Sequence, residues 1–313
     1  MNGEVELLLE GRNVLVTGAQ GFIGRSLVRA LTGMKAHVAA MDMAPSDDGG
    51  TQDVTAYTGD LEDRAFVDDC VRRCRPDVVF HLAAFKERSS DMADFYRAVG
   101  VNIMGSLNLF SALNDGGRVS SVVVLGTAEE YGRNESPFNE AMRERPVTAY
   151  SYSKLCVTNL CGILHSLYRL PVTVLRPTLA YGPGQDAGMF LPSLIGSLIE
   201  GRPFVMTPGE QTRDFVYITD LVDAMIRASQ AEGARGEVIN IGSGKPVRLL
   251  EVVAMVERLL DRTGLVKVGG REYRPDEIMD YHVDTSKAKR LIRWEPKVGL
   301  DEGVRLTIAS FLS

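Results

Sequence analysis

The start of one predicted helix carries a tyrosine and a lysine whose spacing suits proton transfer. Tyr150 and Lys154 are four residues apart and share one face of a helix expected to run to about Tyr168, whereas Tyr152 points elsewhere. A tyrosine titrates near pH 10, so its phenol acts as a base at neutral pH only beside a positive charge. The pair predicts an acid/base centre in which the Lys154 ammonium stabilises the Tyr150 phenolate.

A second stretch, from Val14 to Gly24, has the composition of a strand, a glycine turn and a helix. Gly18 permits a tight turn, Gly21 lets the backbone approach a pyrophosphate, and Gly24 lets the helix lie close to the strand. Unpaired amides at the helix start, with the helix dipole, favour phosphate. The stretch therefore predicts a dinucleotide site, which also includes Gln20, Phe22 and Ile23.

The residue that would choose between the two nicotinamide dinucleotides is Asp42. Residues 37–41 form a second predicted strand, and Asp42 ends it, about twenty positions after the glycine turn. A carboxylate there accepts hydrogen bonds from ribose hydroxyls and repels a 2′-phosphate. We therefore expect NAD rather than NADP, and an oxidised nicotinamide would add a second positive charge beside Tyr150. An ordinary acidic turn residue before Pro45 is the alternative.

Polar and small residues follow the next two predicted strands. Asp60 and Leu61 come after the third strand, where Asp60 would accept from the adenine amino group. A cap on the following helix is the alternative for Asp60. Small side chains after the fourth strand would let the backbone lie against the cofactor, in the segment Leu82, Ala83 and Ala84.

Strands and helices alternate through the first half of the chain. Strands are predicted at 14–16, 37–41, 56–58, 78–81 and 121–125, and helices near 22–31, 64–73, 91–113 and 150–168. This order predicts an α/β fold with a doubly wound parallel sheet, whose ligands bind at the carboxyl ends of the strands. Glycine- and proline-rich loops follow Arg176, around a helix near 190–199. We therefore expect a nucleotide-binding domain of residues 1–177 and a smaller α/β substrate lobe of residues 178–313.

Composition limits the class of partner. The chain has 313 residues, 45% of them hydrophobic, a net charge of −6 and a pI near 5.4. A sizeable core is expected, and neither nucleic acid nor an anionic membrane is favoured as the main partner. No apolar run approaches the roughly 20 residues that span a bilayer, and the acidic segment 1–10 has no leader character, so a cytoplasmic protein is expected. The four cysteines and four histidines make no metal pattern, so no metal is expected.

Taken together, these motifs resemble the extended short-chain dehydrogenase/reductase family, specifically its nucleotide-sugar epimerases, dehydratases and reductases. The resemblance rests on Gly18-x-x-Gly21-x-x-Gly24, Asp42, Asp60-Leu61, His81-Leu-Ala-Ala, Thr127 and Tyr150-x-x-x-Lys154. Later segments are similar too: Arg176-Pro-Thr-Leu-Ala-Tyr-Gly-Pro-Gly, Arg213-Asp-Phe-Val-Tyr-Ile-Thr-Asp, Arg274-Pro-Asp and Asp284-Thr-Ser-Lys-Ala. The match covers almost the whole chain and is more specific for the family than for one reaction.

The resemblance implies a role for each matched residue. Tyr150 would be the acid/base at a sugar hydroxyl, Thr127 would share that hydrogen bond to the substrate, and Lys154 would tune Tyr150 and hold the nicotinamide ribose. Arg213 and Arg274 would face the substrate diphosphate, whose oxygens match guanidinium groups in bidentate fashion. Surface ion pairs are the alternative for both arginines.

Three further expectations come from the same resemblance. Lys86 is similar to a lysine on the cofactor side of the 4-epimerases, where it would contact cofactor and substrate, with a solvated lysine as the alternative. The family's chain path would return residues 215–241 to the cofactor domain. A homodimer would form through the helix that carries Tyr150 and the long helix before it.

Two positions depart from the family pattern. Leu179 stands where many members have asparagine, so an expected amide contact to the substrate is missing. Ala128 lacks the acid that some 4,6-dehydratases carry, while Glu129 would still be placed as a base at C5. The same Glu-Glu-Tyr-Gly segment also resembles certain 4-keto-6-deoxy-sugar reductases.

The preferred hypothesis is an NAD-dependent nucleotide-sugar 4-epimerase that acts through a transient 4-keto sugar. A nucleotide-sugar 4,6-dehydratase and a 4-keto-6-deoxy-sugar reductase are the alternatives within the family. A non-catalytic NAD-sensing protein is the alternative from another class. The complete set of Thr127, Tyr150 and Lys154 argues against that last hypothesis.

Overall fold

A computed structural model describes residues 9–45, 54–87, 91–116, 119–274 and 277–312. Most of the acidic N-terminal segment lies outside the described residues. The strands within them are, in chain order, β1 (Asn13–Thr17), β2 (His37–Asp42), β3 (Val54–Thr58), β4 (Val78–His81), β5 (Ser121–Leu125), β6 (Val172–Pro177), β7 (Leu179–Tyr181), β8 (Phe204–Val205), β9 (Thr212–Arg213), β10 (Phe215–Tyr217), β11 (Val238–Ile241), β12 (Val247–Arg248) and β13 (Val266–Lys267).

The helices of the described residues complete an alternating chain. They are α1 (Phe22–Gly33), α2 (Arg64–Cys74), α3 (Met92–Arg97), α4 (Gly105–Gly116), α5 (Ala149–Tyr168), α6 (Phe190–Ile199), α7 (Ile218–Gln230), α8 (Leu249–Leu260), α9 (Ser286–Ile292) and α10 (Leu300–Leu312). No helix in this described part of the chain is both long and apolar enough to cross a bilayer.

One seven-stranded sheet organises the molecule. Its strands are all parallel and lie in the order β11-β6-β5-β4-β1-β2-β3. The chain reverses its direction of travel across the sheet between β3 and β4, so the crevice beyond the carboxyl ends of β1 and β4 is the expected ligand site of such a fold. The predicted α/β fold with a doubly wound parallel sheet is confirmed.

Alternate residues of the strands face two different helical layers. Val14 and Val16 of β1 pack with Leu27 of α1 in one buried cluster, whereas Leu15 packs with Leu109 of α4 in a second cluster on the other face. Because both faces are covered, the strands are apolar almost throughout, as buried parallel strands are. The sheet is therefore a rigid support whose polar functions are confined to its ends.

The later part of the chain adds three two-stranded sheets. They pair β7 with β10, β9 with β12, and β8 with β13. Between them the chain crosses back, because β11 forms the edge of the main sheet beside β6 and α7 packs against α1. The division into domains at residue 177 stays a prediction.

The helix predicted near 91–113 is interrupted. It is built from α3, a π-helical segment Ala98–Met104, and α4. A π-helical turn widens the backbone and is frequent at functional sites. Here the segment carries a buried asparagine, Asn102, whose contacts belong to the candidate site.

Buried polar groups join the carboxyl ends of β1 and β4. His81 Nδ1 lies 2.7 Å from Thr17 Oγ1, and His81 Nε2 lies 2.8 Å from Ser106 Oγ on α4. The Ser106 hydroxyl donates to the Asn102 carbonyl, so its oxygen accepts from His81 Nε2–H. The Thr17 oxygen already accepts from the next two backbone N–H groups after His81, at 3.2 and 3.3 Å, so its hydroxyl hydrogen is donated to His81 Nδ1. The network therefore requires a neutral imidazole.

The same network makes stability depend on pH. Burial, followed by the positive charge of Lys154, lowers the pKa of His81 to about 3, while an unfolded histidine titrates near 6.5. Between these values the unfolded chain binds the extra proton, so the free energy of unfolding falls as pH falls from 6.5 towards 3. The free energy of unfolding of the wild type should fall between pH 6.5 and 5, and His81→Gln should reduce that fall by about 2 kcal/mol. Urea unfolding at the two pH values is the measurement. Replacing the exposed His37 with Gln is the control, and equal pH slopes for wild type and His81→Gln would contradict the prediction.

Candidate active site

The glycine turn between β1 and α1 is fixed by close packing at two of its three glycines. Gly18 has a φ of +70°, and a Cβ there would lie 2.7 Å from the backbone nitrogen of Ala83. A Cβ on Gly24 would lie 2.1 Å from the Gly18 carbonyl oxygen. A Cβ on Gly21 would meet only that same oxygen, at 3.3 Å. Gly18 and Gly24 thus close the turn, while the space beside Gly21 is open to a ligand.

The beginning of α1 fits a phosphate group. Its N-cap is Gly21, and among the described residues no side chain caps the first N–H groups and no acid occupies the first turn. Gln20, Phe22 and Ile23 are half-buried around this end. Unpaired amides and the positive end of the helix dipole together favour an anion. This cradle fits the pyrophosphate of a dinucleotide.

Asp42 lies beside the glycine turn at the end of β2. One carboxylate oxygen accepts from the backbone N–H of Gln20 at 2.9 Å, and the other accepts from Ala44 N–H at 3.0 Å. The bond to Ala44 is the turn interaction of the alternative interpretation, and the bond to Gln20 places the carboxylate where the adenosine ribose is expected. Within the described residues each oxygen accepts one hydrogen bond, which leaves it a lone pair for a ribose hydroxyl.

The segment after β3 differs in part from expectation. Asp60 accepts from the N–H of Glu62 at 2.9 Å, whereas Asp63 caps α2 by accepting from its first N–H groups. The alternative interpretation of Asp60 as the helix cap is therefore wrong. The Leu61 side chain is buried against Gly105, so Leu61 can offer only its backbone to a cofactor.

The segment after β4 lies against the glycine turn and is tied to α5. Leu82, Ala83 and Ala84 are half-buried. The Asn102 side chain accepts from Phe85 N–H at 2.7 Å and donates to the Phe85 carbonyl at 2.9 Å and to Ser153 Oγ at 2.8 Å. Sequence analysis missed Asn102, although an asparagine within a long helix is an available signal.

Lys86 lies at the exposed end of the same segment. Its Nζ is 3.9 Å from an Asp186 carboxylate oxygen, and both side chains are more than half exposed. Such a pair contributes little to stability. Its position is that of a solvent-exposed lysine, the alternative given above. A contact of Lys86 with cofactor or substrate stays a prediction.

The tyrosine–lysine pair lies in the first turns of α5. Tyr150 is half-buried, Lys154 is 3% exposed, and Tyr152 is 49% exposed on another face, as the spacing predicts. Burial lowers the pKa of Lys154, and the Glu130 carboxylate opposes that effect. The ammonium thus lies in a water-poor environment, where its field on a neighbouring phenol is strong.

Thr127 and Glu129 occupy the turn that follows β5. Thr127 is 6% exposed and caps a 3₁₀ turn by accepting from Glu129 N–H at 3.2 Å. The Thr127 N–H donates to the buried carboxylate of Glu130 at 3.0 Å. That carboxylate also accepts from the Thr158 hydroxyl of α5 at 2.8 Å. Glu130, which sequence analysis did not assign, therefore joins the Thr127 turn to the helix of Tyr150 and Lys154.

The two predicted diphosphate ligands lie in the later part of the chain, around Glu277. Arg213 donates to the Ile278 carbonyl at 2.8 Å and pairs with the Glu277 carboxylate in a half-buried position. Arg274 is exposed, and its carbonyl accepts from Glu277 N–H at 3.0 Å. The next two residues of that motif, 275 and 276, lie outside the described residues. A cavity of about 410 Å³ adjoins Glu277, lined by residues 133–136 and 277–280.

The structure thus separates the site residues into three groups. Asp42 and the glycine turn contact each other directly, and Thr127 and Lys154 face one buried carboxylate. Lys86 and Arg274 are exposed to solvent. Leu179, at the usual asparagine position, packs its side chain against the apolar core. The functional roles of all these residues stay predictions.

Comparison with known proteins agrees with this geometry. The model of the "NAD dependent epimerase/dehydratase family" matches residues 14–242. UDP-glucuronate 4-epimerase from Thermodesulfobacterium geofontis is 32% identical over 236 residues, which are 74% of this chain and 71% of that protein. dTDP-glucose 4,6-dehydratase from Xanthomonas campestris is 28% identical and covers 96% of this chain and 93% of its own. The crystal structure of UDP-glucuronic acid 4-epimerase from Bacillus cereus, in complex with UDP-glucuronic acid and NAD, has a TM-score of 0.87 at 28% identity, covering 96% of this chain and 98% of its own. The resemblance inferred from the motifs is confirmed: this chain belongs to the NAD-dependent epimerase/dehydratase family.

Proposed function

We propose that this protein is an NAD-dependent nucleotide-sugar 4-epimerase that acts through a transient 4-keto sugar. The observation that carries the proposal is the arrangement on α5, where half-buried Tyr150 and fully buried Lys154 share a face and Thr127 is joined to that helix through Glu130. This arrangement supports proton transfer at a sugar hydroxyl. Relatives named for UDP-glucuronate and dTDP-glucose support a nucleotide diphosphate sugar as the substrate class.

The residues around the cleft have separate tasks in this proposal. The turn of Gly18, Gly21 and Gly24 would hold the pyrophosphate of NAD, and Asp42 would hold the adenosine ribose. NAD, when bound, supplies the acceptor and later the donor of a hydride at the sugar carbon. Asp60 and the backbone of residues 82–84 would line the adenine and nicotinamide sides. The fit of the empty space at Gly21 and the uncapped start of α1 supports this assignment.

Proton transfer falls to α5 and the turn after β5. Tyr150 would take the proton of the sugar 4-hydroxyl and return it after the ring has turned over. Thr127 would hydrogen-bond the same oxygen, and Lys154 would stabilise the phenolate and bind the nicotinamide ribose. Arg213 and Arg274 would hold the diphosphate, which lets the sugar rotate while the nucleotide stays bound.

Inversion at C4 is favoured over dehydration by Ala128. Its side chain is 0% exposed and packs with Tyr131 and Phe138, so this position offers the substrate no acid for expelling the C6 hydroxyl. The second candidate, a 4,6-dehydratase, is favoured by one observation, the half-buried Glu129 next to Thr127 on the same turn. A 4-keto reductase is less favoured, because such enzymes often use NADPH and Asp42 is poorly suited to a 2′-phosphate.

A second copy of the chain is the proposed partner of the outer face of α3 and α5. Large apolar side chains there are exposed, among them Met92 and Tyr96 of α3 and Ile163 and Leu167 of α5, at 64, 77, 55 and 69%. The π-helical segment that follows α3 packs against α5, so the two helices present adjoining faces. An apolar face of this kind is self-complementary in a two-fold dimer. Sedimentation velocity would detect the dimer, and a monomer at all concentrations would contradict it.

The redox cycle tests the proposed reaction. An epimerase oxidises the sugar and then reduces the same molecule. We therefore expect a nucleotide sugar and a catalytic amount of NAD to give the C4 epimer, with no net change in NADH absorbance. A panel of UDP-, GDP-, dTDP- and CDP-sugars with product analysis is the measurement. A 4-keto-6-deoxy product would move the assignment to the dehydratase. Turnover that requires stoichiometric reduced cofactor would defeat both.

Tyr150→Phe tests the acid/base assignment. The substitution removes only the titrating oxygen, so turnover should fall by about 10²- to 10⁴-fold while NAD binding and the melting temperature stay close to wild type. Tyr152→Phe is the matched control, since Tyr152 lies on an exposed face of the same helix. Greater damage from the Tyr152 change would show that the helix register assigned to catalysis is wrong.

Asp42→Ala tests cofactor selection. NAD should bind the unmodified protein more tightly than NADP, because a 2′-phosphate would bring negative charge against the Asp42 carboxylate. The substitution should narrow that preference, measured as the ratio of the two dissociation constants by calorimetry. Asp60→Ala is the control, because a change on the adenine side should weaken both dinucleotides equally. Equal affinity of the unmodified protein for both would exclude the assignment.

A further inference from the structure

We propose that Glu130 is a positioning residue of this site: its buried carboxylate is the counter-ion that keeps Lys154 an ammonium and, at the same time, holds the Thr127 turn against α5. The inference deepens the proposed function, because it concerns how the Tyr150–Lys154 pair is maintained in its active charge state. Glu130 would act through its neighbours and would contact neither substrate nor cofactor.

The Glu130 carboxylate lies where three elements meet. It is 0% exposed, and its Oε1 accepts from Thr127 N–H at 3.0 Å. Its Oε2 accepts from the Thr158 hydroxyl at 2.8 Å and from Arg176 Nε of β6 at 2.9 Å. A Cβ on Gly126 would lie 2.7 Å from Oε1, so a side chain there would displace the carboxylate from the end of β5. A group held from three sides in this way cannot swing out to solvent.

Lys154 lies on the side of α5 that packs towards this carboxylate. Lys154 and Thr158 are four residues apart, so they share one helical face, and the Thr158 hydroxyl fixes that face against Glu130. The Lys154 side chain is 3% exposed. Burial lowers its pKa, while the Glu130 carboxylate acts in the opposite direction. Without a counter-ion, a buried lysine tends to lose its proton, and a neutral amine would no longer stabilise a phenolate.

Arg176 is neutralised by two carboxylates, Glu130 and Glu144, so the negative charge of Glu130 also acts on Lys154. Arg176 is fully buried and pairs with Glu130, but its Nη2 also lies 2.7 Å from a Glu144 carboxylate oxygen. The guanidinium further lies over the Tyr131 ring, 4.7 Å from its centroid. Two cations, Lys154 and Arg176, are therefore balanced by two carboxylates, so Glu130 need not be neutralised by Arg176 alone.

Other titratable groups near Lys154 do not supply this charge. His81 faces it from the end of β4, and burial lowers the pKa of His81 to about 3, so the imidazole is neutral in the working range. Cys161 lies on α5 itself, and burial raises the pKa of its thiol well above neutrality. Tyr150 is the group that Lys154 is proposed to act on. Glu130 is thus the carboxylate among the groups near Lys154 that these interactions identify.

The test compares Glu130 with Glu144. Both carboxylates pair with Arg176, but only Glu130 is proposed to act on Lys154. In protein labelled at lysine Nζ, the Lys154 signal, assigned with Lys154→Arg, is titrated by NMR without cofactor or sugar. Glu130→Gln should lower the midpoint by about one pH unit or more, because the opposing charge is gone while burial remains. Glu144→Gln should move it by less than half as much. An unchanged midpoint in folded Glu130→Gln, or equal shifts in both variants, would overturn the inference.

Kinetics supply a second measurement. The alkaline limit of kcat/KM should move to lower pH in Glu130→Gln by a similar amount, whereas Glu144→Gln should keep the wild-type profile. A purely structural role would lower activity at every pH without moving the limit, and that result would overturn the inference. Failure of the proposed function gives a different result. The wild-type protein would then produce no epimer, while the Lys154 midpoints of the two variants would still differ by NMR.

Glu130→Asp guards against a variant that does not fold. It keeps the charge but withdraws it by one methylene, so the Lys154 midpoint should fall by less than in Glu130→Gln but in the same direction. Circular dichroism and thermal melting establish which variants are folded. If Glu130→Gln is unfolded, an unchanged Lys154 midpoint in folded Glu130→Asp would overturn the inference.

Discussion

The close approach of two backbone segments at Gly18 is the constraint on which the site depends. There the glycine turn passes so near the backbone of Ala83 that no Cβ fits between them. This contact is possible because β1 and β4 are neighbours in the sheet, with Thr17 paired to His81 at their carboxyl ends. The cofactor crevice is thus bounded by two strand ends that are held in register by the sheet and by the Thr17–His81 hydrogen bond.

Around this contact the structure places polar groups inside an apolar frame, and it satisfies them through side chains from distant elements. The neutral imidazole of His81 connects β1, β4 and α4, while the Asn102 amide connects the segment after β4 with α5. Glu130 makes the corresponding connection between β5, β6 and α5. Because an unpaired buried group is costly, each of these connections fixes the position of the elements it joins. Buried hydrogen bonds and an ion pair, as well as packing, therefore make the surroundings of Tyr150 and Lys154 rigid.

Local patterns were sufficient to predict the frame and its cofactor. The spacing of Gly18, Gly21 and Gly24, the acid at Asp42, and the tyrosine–lysine pair each depend on residues close in sequence, whose geometry a strand or helix sets directly. Strand β11 could not be placed this way, since it joins the sheet after a long excursion and was expected only from the resemblance. Asn102 bonds Ser153 from 51 residues away, and Glu130 bonds Thr158 and Arg176 from 28 and 46 residues away, so spacing within one element does not predict these contacts.

Helix caps show the same limit at short range. Asp60 and Asp63 both precede α2, and both have the side chain that caps a helix. The cap is Asp63, because its carboxylate accepts from N–H groups in the first turn of α2. Asp60 instead accepts from Glu62 N–H in the turn before the helix. A difference of three residues thus leaves Asp60 at the strand end, next to the expected adenine side.

The distinction between family and reaction has a physical origin in this arrangement. In the proposed mechanism, epimerisation and dehydration both begin with oxidation at C4 and use the same hydride acceptor and the same base, so the glycine turn, Tyr150 and Lys154 would serve either reaction. The reactions diverge after the 4-keto sugar has formed, when either the ring turns over or a neighbouring acid and base remove water. That choice depends on one or two side chains over the sugar.

In this chain Ala128 is enclosed in the core next to Tyr131, which leaves Glu129 without an acidic neighbour at that position. Under the proposed function, the missing acid would disfavour loss of the C6 hydroxyl, and the 4-keto sugar would instead be reduced from its other face.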